Sequence, residues 1–139
     1  MSASSLWPVQ AAIYTRLCGD DSLLALLPAG AAAVLDHVPQ DTPFPYIVLG
    51  DMQARPLGTV AESGYDITLD ILTYSQGAGM KEAKALMAAV YASLHRADFT
   101  LAGHKLILCD AVLEECRLLP DARTREGLQR FHLITEPVT

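Results

Sequence analysis

Between Tyr65 and Tyr74 the chain alternates: Tyr65, Ile67, Leu69 and Ile71 are interleaved with Asp66, Thr68 and Asp70. A period of two sends successive side chains to opposite sides of an extended backbone. The run therefore predicts a strand with one core face and one face that starts out wet. A different period follows the break at Gly77 and Gly79. Met80, Ala83, Leu86, Met87, Val90 and Leu94 recur at helical spacing and leave Lys81, Glu82, Lys84 and Arg96 outward, which predicts the main amphipathic helix. Its alanine flank, Ala85, Ala88, Ala89 and Ala92, allows close backbone approach, as suits a helix laid across a sheet.

Upstream, Leu6, Val9, Ile13 and Leu17 share one helical face, with Ser4 or Ser5 as cap and Pro8 tolerated in the first turn. Gly19 predicts a left-handed stop, after which Asp20 or Asp21 caps a second short helix, Ser22 to Leu27, closed by Pro28. Val34 to Val38 reads as a short strand. Pro39, Pro43 and Pro45 then force an extended path into a long strand, Tyr46 to Leu57. Arg55 to Gly64 joins this strand to the alternating one as an antiparallel hairpin. Beyond the main helix the pattern predicts a turn at Gly103, a strand from Lys105 to about Leu119, a polar turn from Pro120 to Gly127 and a strand from Leu128 to Glu136. Helices punctuating antiparallel hairpins predict an α+β fold rather than βαβ winding: a mixed, largely antiparallel sheet carrying a long amphipathic helix and N-terminal helices.

At 139 residues the chain is the size of one domain, taken as residues 1–139. An apolar share of 51% against 19% charged residues excludes the disordered class. No stretch approaches the ~20 apolar residues of a spanning helix, so a soluble protein is expected. The N-terminus lacks a basic segment, and Pro8 and Gln10 interrupt its apolar run, which points to the cytoplasm rather than secretion. Three cysteines without CxxC spacing support neither a disulfide framework nor a zinc clamp. A net charge of −6 is the wrong sign for gripping phosphates over a broad surface.

Candidate chemistry is thin. His37, His95, His104 and His132 show no HExxH or HxH spacing. Cys109 with His104 or His132 is a conceivable nucleophile and base, set against plain packing. Cys109 and Cys116, seven apart on a predicted strand, are expected on opposite faces. Asp66, Thr68 and Asp70 offer oxygen ligands for Mg²⁺ or Ca²⁺, but any half-exposed strand shows that spacing. The loop from Ser75 to Gly79 lacks the phosphate-binding lysine and glycine pattern, and no GxSxG elbow occurs. The residues thus predict no catalytic group, metal or cofactor; the enzyme alternative is a small metal- or anion-dependent one using Asp66, Asp70 or Cys109.

The stretch Val34-Leu-Asp-His-Val-Pro-Gln-Asp-Thr-Pro-Phe-Pro-Tyr-Ile-Val-Leu-Gly-Asp51 carries a strand, a proline-rich bend ending in a Pro-Tyr pair, and a second strand. With the Tyr65–Ser75 strand, the Gly77–Arg96 helix and the closing Arg130-Phe-His-Leu-Ile-Thr-Glu136, it resembles the tail completion, or tail terminator, proteins of long-tailed, siphovirus-like bacteriophages and gene transfer agents. The resemblance covers about residues 5–137; one departure is Tyr74, where many relatives carry tryptophan. It implies a tail-terminator-like α/β sandwich and a structural virion protein rather than an enzyme. Such a protein assembles as a homo-oligomeric ring, a hexamer, on the head-proximal end of the tail tube, ends tube growth and joins the tail to the head. Its implied partners are itself, the tail tube protein and a head-completion or neck protein, with DNA passing through the lumen without specific binding. Assembly is expected in the bacterial cytoplasm. The alternative position is a head-completion or neck adaptor on the portal ring. Two charged hairpin tips are the expected contact sites: Arg55, Pro56, Leu57, Thr59 and Glu62 in one, Asp121, Arg123, Arg125 and Glu126 in the other.

Overall fold

A computed structural model of the chain describes residues 4–58 and 64–138. Three helices, α1 (Leu6–Cys18), α2 (Asp21–Leu24) and α3 (Lys81–Leu94), accompany five strands. The strands are β1 (Val34–Leu35), β2 (Tyr46–Pro56), β3 (Tyr65–Ser75), β4 (His104–Leu118) and β5 (Arg125–Pro137), and a 3-10 turn over Gly30–Ala33 precedes β1. They form one sheet in the order β1-β2-β3-β5-β4. Only β1 runs parallel to its neighbour; the other pairings are antiparallel. The predicted α+β class is the observed one.

The helices lie on one face of this sheet. Ile47, Leu49, Ile67, Leu69, Ile71, Phe131 and Leu133 form the strand side of the core, and Val9, Ile13, Leu17, Leu86, Val90 and Leu94 form the helix side. Each such side chain, fully withdrawn from water, contributes about 1.5–3 kcal/mol. The face turns polar toward the Ser75 end. There the fully buried Gln129 donates from Nε2 to the Met87 carbonyl at 2.8 Å and to Glu114 Oε2 at 2.7 Å. A Cβ on Gly127 would lie 2.5 Å from Met87 Sδ, so the bare glycine makes room on β5 for the Met87 side chain of α3.

Local chemistry explains the helix ends, with differences from the sequence reading. Asp20 caps α2, accepting from the Leu23 N–H at 3.2 Å, and the helix closes at Leu24 rather than Leu27. Ser5 sits at the cap position of α1, but its hydroxyl instead shares a buried 2.8 Å hydrogen bond with Thr135 Oγ1, pinning α1 to β5. Gly19 has φ −98°, so α1 ends without a left-handed residue; the Gly19 N–H bonds the Thr15 and Arg16 carbonyls. Leu6, placed on the core face by its spacing, is exposed, while Val9, Ile13 and Leu17 are buried. The short strand stops at Leu35, and β5 begins at Arg125, three residues earlier than predicted.

Three bulges reset the faces. One in β2 between Leu49 and Met52 moves the outward positions from Tyr46 and Val48 to Gln53 and Arg55. In β4, Ile107 and Val112 are each an extra residue against β5. The second shifts the parity of everything after it, so Cys116 pairs with Gly127 on the helix side, as Cys109 pairs with Leu133. The two cysteines therefore share a face, contrary to the expectation from their spacing alone. Among the described residues, no helix is long and apolar enough to cross a membrane.

Candidate assembly surfaces

The sheet face away from the helices carries ordered charge. Asp70 accepts from Arg130 Nε at 2.8 Å and Nη2 at 3.2 Å, and Asp66 lies 2.7 Å from His132 Nε2. Farther along, the Tyr74 hydroxyl donates to Glu126 at 2.8 Å, and Arg117 bonds the other oxygen of the same carboxylate at 3.0 Å. Partial burial, then the bond to Glu126, raises the Tyr74 pKa, which keeps the phenol a donor. Phe44, Tyr46 and Tyr74 form a row of rings with centroids 5.1 and 5.3 Å apart.

These pairings answer the chemical candidates raised by the sequence. Asp66 and Asp70, offered as metal ligands, are each engaged by a basic side chain across the strands. Cys109 is buried on the helix side, and burial pushes its thiol up to about 12, so it stays protonated at neutral pH. His132 stands on the opposite face of the sheet, which separates it from Cys109 as a base. Among the described residues no group of three or more His, Cys, Asp and Glu side chains is placed to hold a metal ion.

The two hairpin tips lie at opposite ends of the sheet, because Tyr65 pairs with Thr135 while Ser75 pairs with Arg125. At one end Arg55 and Pro56 finish β2, both exposed, and the Leu57 N–H bonds the Gly64 carbonyl at 3.0 Å. Thr59 and Glu62 lie outside the described residues. At the other end the Asp121 carboxylate accepts from Thr124 Oγ1 at 2.6 Å, the Thr124 N–H at 2.8 Å and the Arg123 N–H at 2.9 Å. Those three bonds, the hydroxyl's first, lower its pKa to about 2. Gln76 Nε2 donates to Thr124 at 3.0 Å and Arg125 Nη1 to the Gly77 carbonyl at 3.0 Å, tying this tip to the start of α3. Arg125 and Glu126, read from sequence as turn residues, are thus strand residues with internal partners.

Both strands at the margins of the sheet leave backbone unpaired. β1 covers only Ile47 and Val48 of β2. On β4, the Cys109 carbonyl accepts from the Arg96 N–H and the Ala111 N–H donates to His95 Nδ1 at 3.0 Å, which closes the edge only locally. Exposed apolar side chains flank these margins: Trp7 and Tyr14 on α1, Ile107 and Val112 at the β4 bulges. Sequence reasoning passed over them, although Trp7, Ala11 and Tyr14 form a second apolar stripe at helical spacing.

Comparison with known proteins decides the family. The model of the tail completion protein gp17 family matches residues 11–136. The chain belongs to that family. It is 30% identical over 94 residues to the tail completion protein gp17 of Bacillus phage SPP1, an alignment spanning 64% of this chain and 66% of that relative's length. Its fold also matches a chain in the virion of a native gene transfer agent particle, with a TM-score of 0.86 and 28% identity, over 97% of this chain and 99% of that one. As a tail completion protein, the chain is a structural component of a phage or gene transfer agent virion. For such a component the surfaces to explain are those that meet neighbours, and the two sheet margins and two hairpin tips are the candidates.

Proposed function

We propose that this chain acts as one structural domain that assembles into a hexameric ring on the head-proximal end of the finished tail tube, ends tube growth and forms the joint to the head. The near-complete structural likeness to a gene transfer agent virion chain carries this reading. A ring needs two different, complementary margins on each subunit, and unpaired strand edges on both sides of the sheet supply the backbone groups for them. Hairpin tips at opposite ends give one subunit access to two neighbours along the tail axis: tube protein on one side, a head-completion or neck protein on the other. The chain works without catalysis or cofactor, in assembly reactions of the bacterial cytoplasm. The net charge of −6 fits a collar through which DNA slides without specific binding, with acidic side chains toward the lumen.

Electron microscopy of the purified protein, alone and mixed with tail tubes, tests the reading. Rings capping one end of tubes of fixed length are the expected result. Tubes left bare by a protein that instead binds portal rings would assign it to the neck. A ring with a basic lumen would overturn the account of DNA passage, and tip variants that still cap tubes would remove the tips from it.

A further inference from the structure

The two margins of the sheet are open at opposite ends. On one, β1 holds the flank of β2 beside Ile47 and Val48. Among the described residues no strand lies beside Met52 to Pro56, toward the Tyr65 end. On the other, the residues after α3 cover Cys109 and Ala111 of β4, and no strand lies beside Glu114 to Leu118, toward the Ser75 end. Open backbone of this length is a template for another strand. Successive antiparallel pairings from β2 through β3 and β5 leave β4 antiparallel to β2. A second copy in the same orientation therefore brings its β4 alongside β2 as an antiparallel neighbour.

We propose that the open half of β4 in one copy pairs with the open half of β2 in the next, setting Cys116 opposite Ala54 and Leu118 opposite Met52. Opposed residues must share a face, so the register moves only in steps of two. The helix side carries Met52 and Ala54 on β2, paired with Leu69 and Ile67, and Glu114, Cys116 and Leu118 on β4, paired with Gln129, Gly127 and Arg125. One step toward β1 would bring Leu119 to the flank of Val48, which Leu35 already holds. One step away would leave only Ala54 and Pro56 to pair. In the register between, the side chains match. Leu118, 46% exposed, covers Met52, and Cys116 covers Ala54, both at the rim of the core. On the open face the exposed Glu115 meets the exposed Arg55, and Arg117 meets Gln53. Pro56, with no N–H to give, falls at the end of the ladder opposite Glu114. The contact is heterologous and repeats from copy to copy. Leu118 is level with Ser75 and Met52 with Leu69, so neighbours are offset by six residues along β3. That is about 20 Å over four strands about 19 Å wide, a ratio that closes a ring when the strands tilt by about 45°, the steep end of barrel geometry. This inference rests on the ring reading and adds its interface.

The native Cys116 makes the register readable in the full chain. In rings assembled on tail tubes and treated with copper–phenanthroline, which takes up the two electrons released, Ala54→Cys should join each copy to Cys116 of the next. Non-reducing gels should then show a covalent ladder that Cys116→Ser abolishes. Gln53→Cys, on the other face, should give none. Arg55→Glu and Glu115→Arg should each weaken self-association about fivefold or more, and the double variant should recover it. Both sites are exposed, and unchanged circular dichroism would show intact folds. Rings in which Ala54→Cys gives no ladder or Gln53→Cys an equal one, or a charge swap without recovery, would overturn this interface and leave the ring reading standing. A wild-type chain that caps no tube and never self-associates would overturn both.

Discussion

Ile67, Leu69 and Ile71 alternate along β3 with Asp66, Asp70 and Tyr74, yet the two sets answer to different demands. On the helix side, an apolar centre is almost fully withdrawn from water, and buried polar groups such as Gln129 and Thr135 bond to partners inside. On the open side, polar groups keep partners across strands while remaining partly wet; Arg130 and Asp66 are 40% and 43% exposed. The contrast teaches where each kind of free energy is held. Cavity and transfer terms dominate behind the helices, whereas screened ion pairs on the open face set geometry and surface character more than stability.

The largest test of this contrast is Phe131→Ala, which empties the biggest fully buried side chain and should cost about 3–5 kcal/mol in urea unfolding. Next is Gly64→Ala. Gly64 has φ +101°, and a Cβ there would lie 2.1 Å from the Thr135 carbonyl oxygen, so a loss of about 1–3 kcal/mol, read from thermal melts, is expected. Asp70→Asn on the open face should cost less than about 1 kcal/mol, since its Arg130 partner is partly solvated. A double-mutant cycle with Arg130→Gln measures the coupling, and a loss equal to that of Phe131→Ala would break the distinction between the faces. The smallest effect is expected at Asp121, whose pKa falls from 3.8 to about 2 on folding. A depressed carboxylate stabilises the folded state above its unfolded pKa and loses that contribution as pH falls through the folded value. Amide exchange at Thr124 should therefore quicken as pH drops from about 4 toward 2 relative to the rest of the hairpin, and Asp121→Asn should abolish this pH dependence.

The difference between the faces also explains how much was legible in the sequence. The alternation in β3, the helical face from Ala83 to Leu94 and the Asp20 cap are local patterns, and each appears where its period placed it. What stayed hidden depends on pairing between distant segments. Nothing local in Leu106–Leu113 announces that Ile107 and Val112 drop out of register, so the shared face of Cys109 and Cys116 emerges only with β5 alongside. Likewise, Arg125 and Glu126 sit in a polar run that reads as a turn until Gly77 and Tyr74 are brought against them. For the candidate surfaces, the tips were named from sequence, but not that they point to opposite ends.

The uninterrupted pairing of β3 with β5 has a metric consequence. Eleven residues, Tyr65 to Ser75, stay in step with Thr135 to Arg125 without a bulge, while bulges are confined to β2 and β4. At about 3.4 Å per residue, this central pair is a ruler of roughly 34 Å between the two turns. Its graduations come in twos. Removing two facing residues from each strand would shorten the ruler by about 7 Å and keep every side chain on its own face; removing one would turn the sheet inside out. The separation of the two turns is thereby quantised by the pleat of a single strand pair.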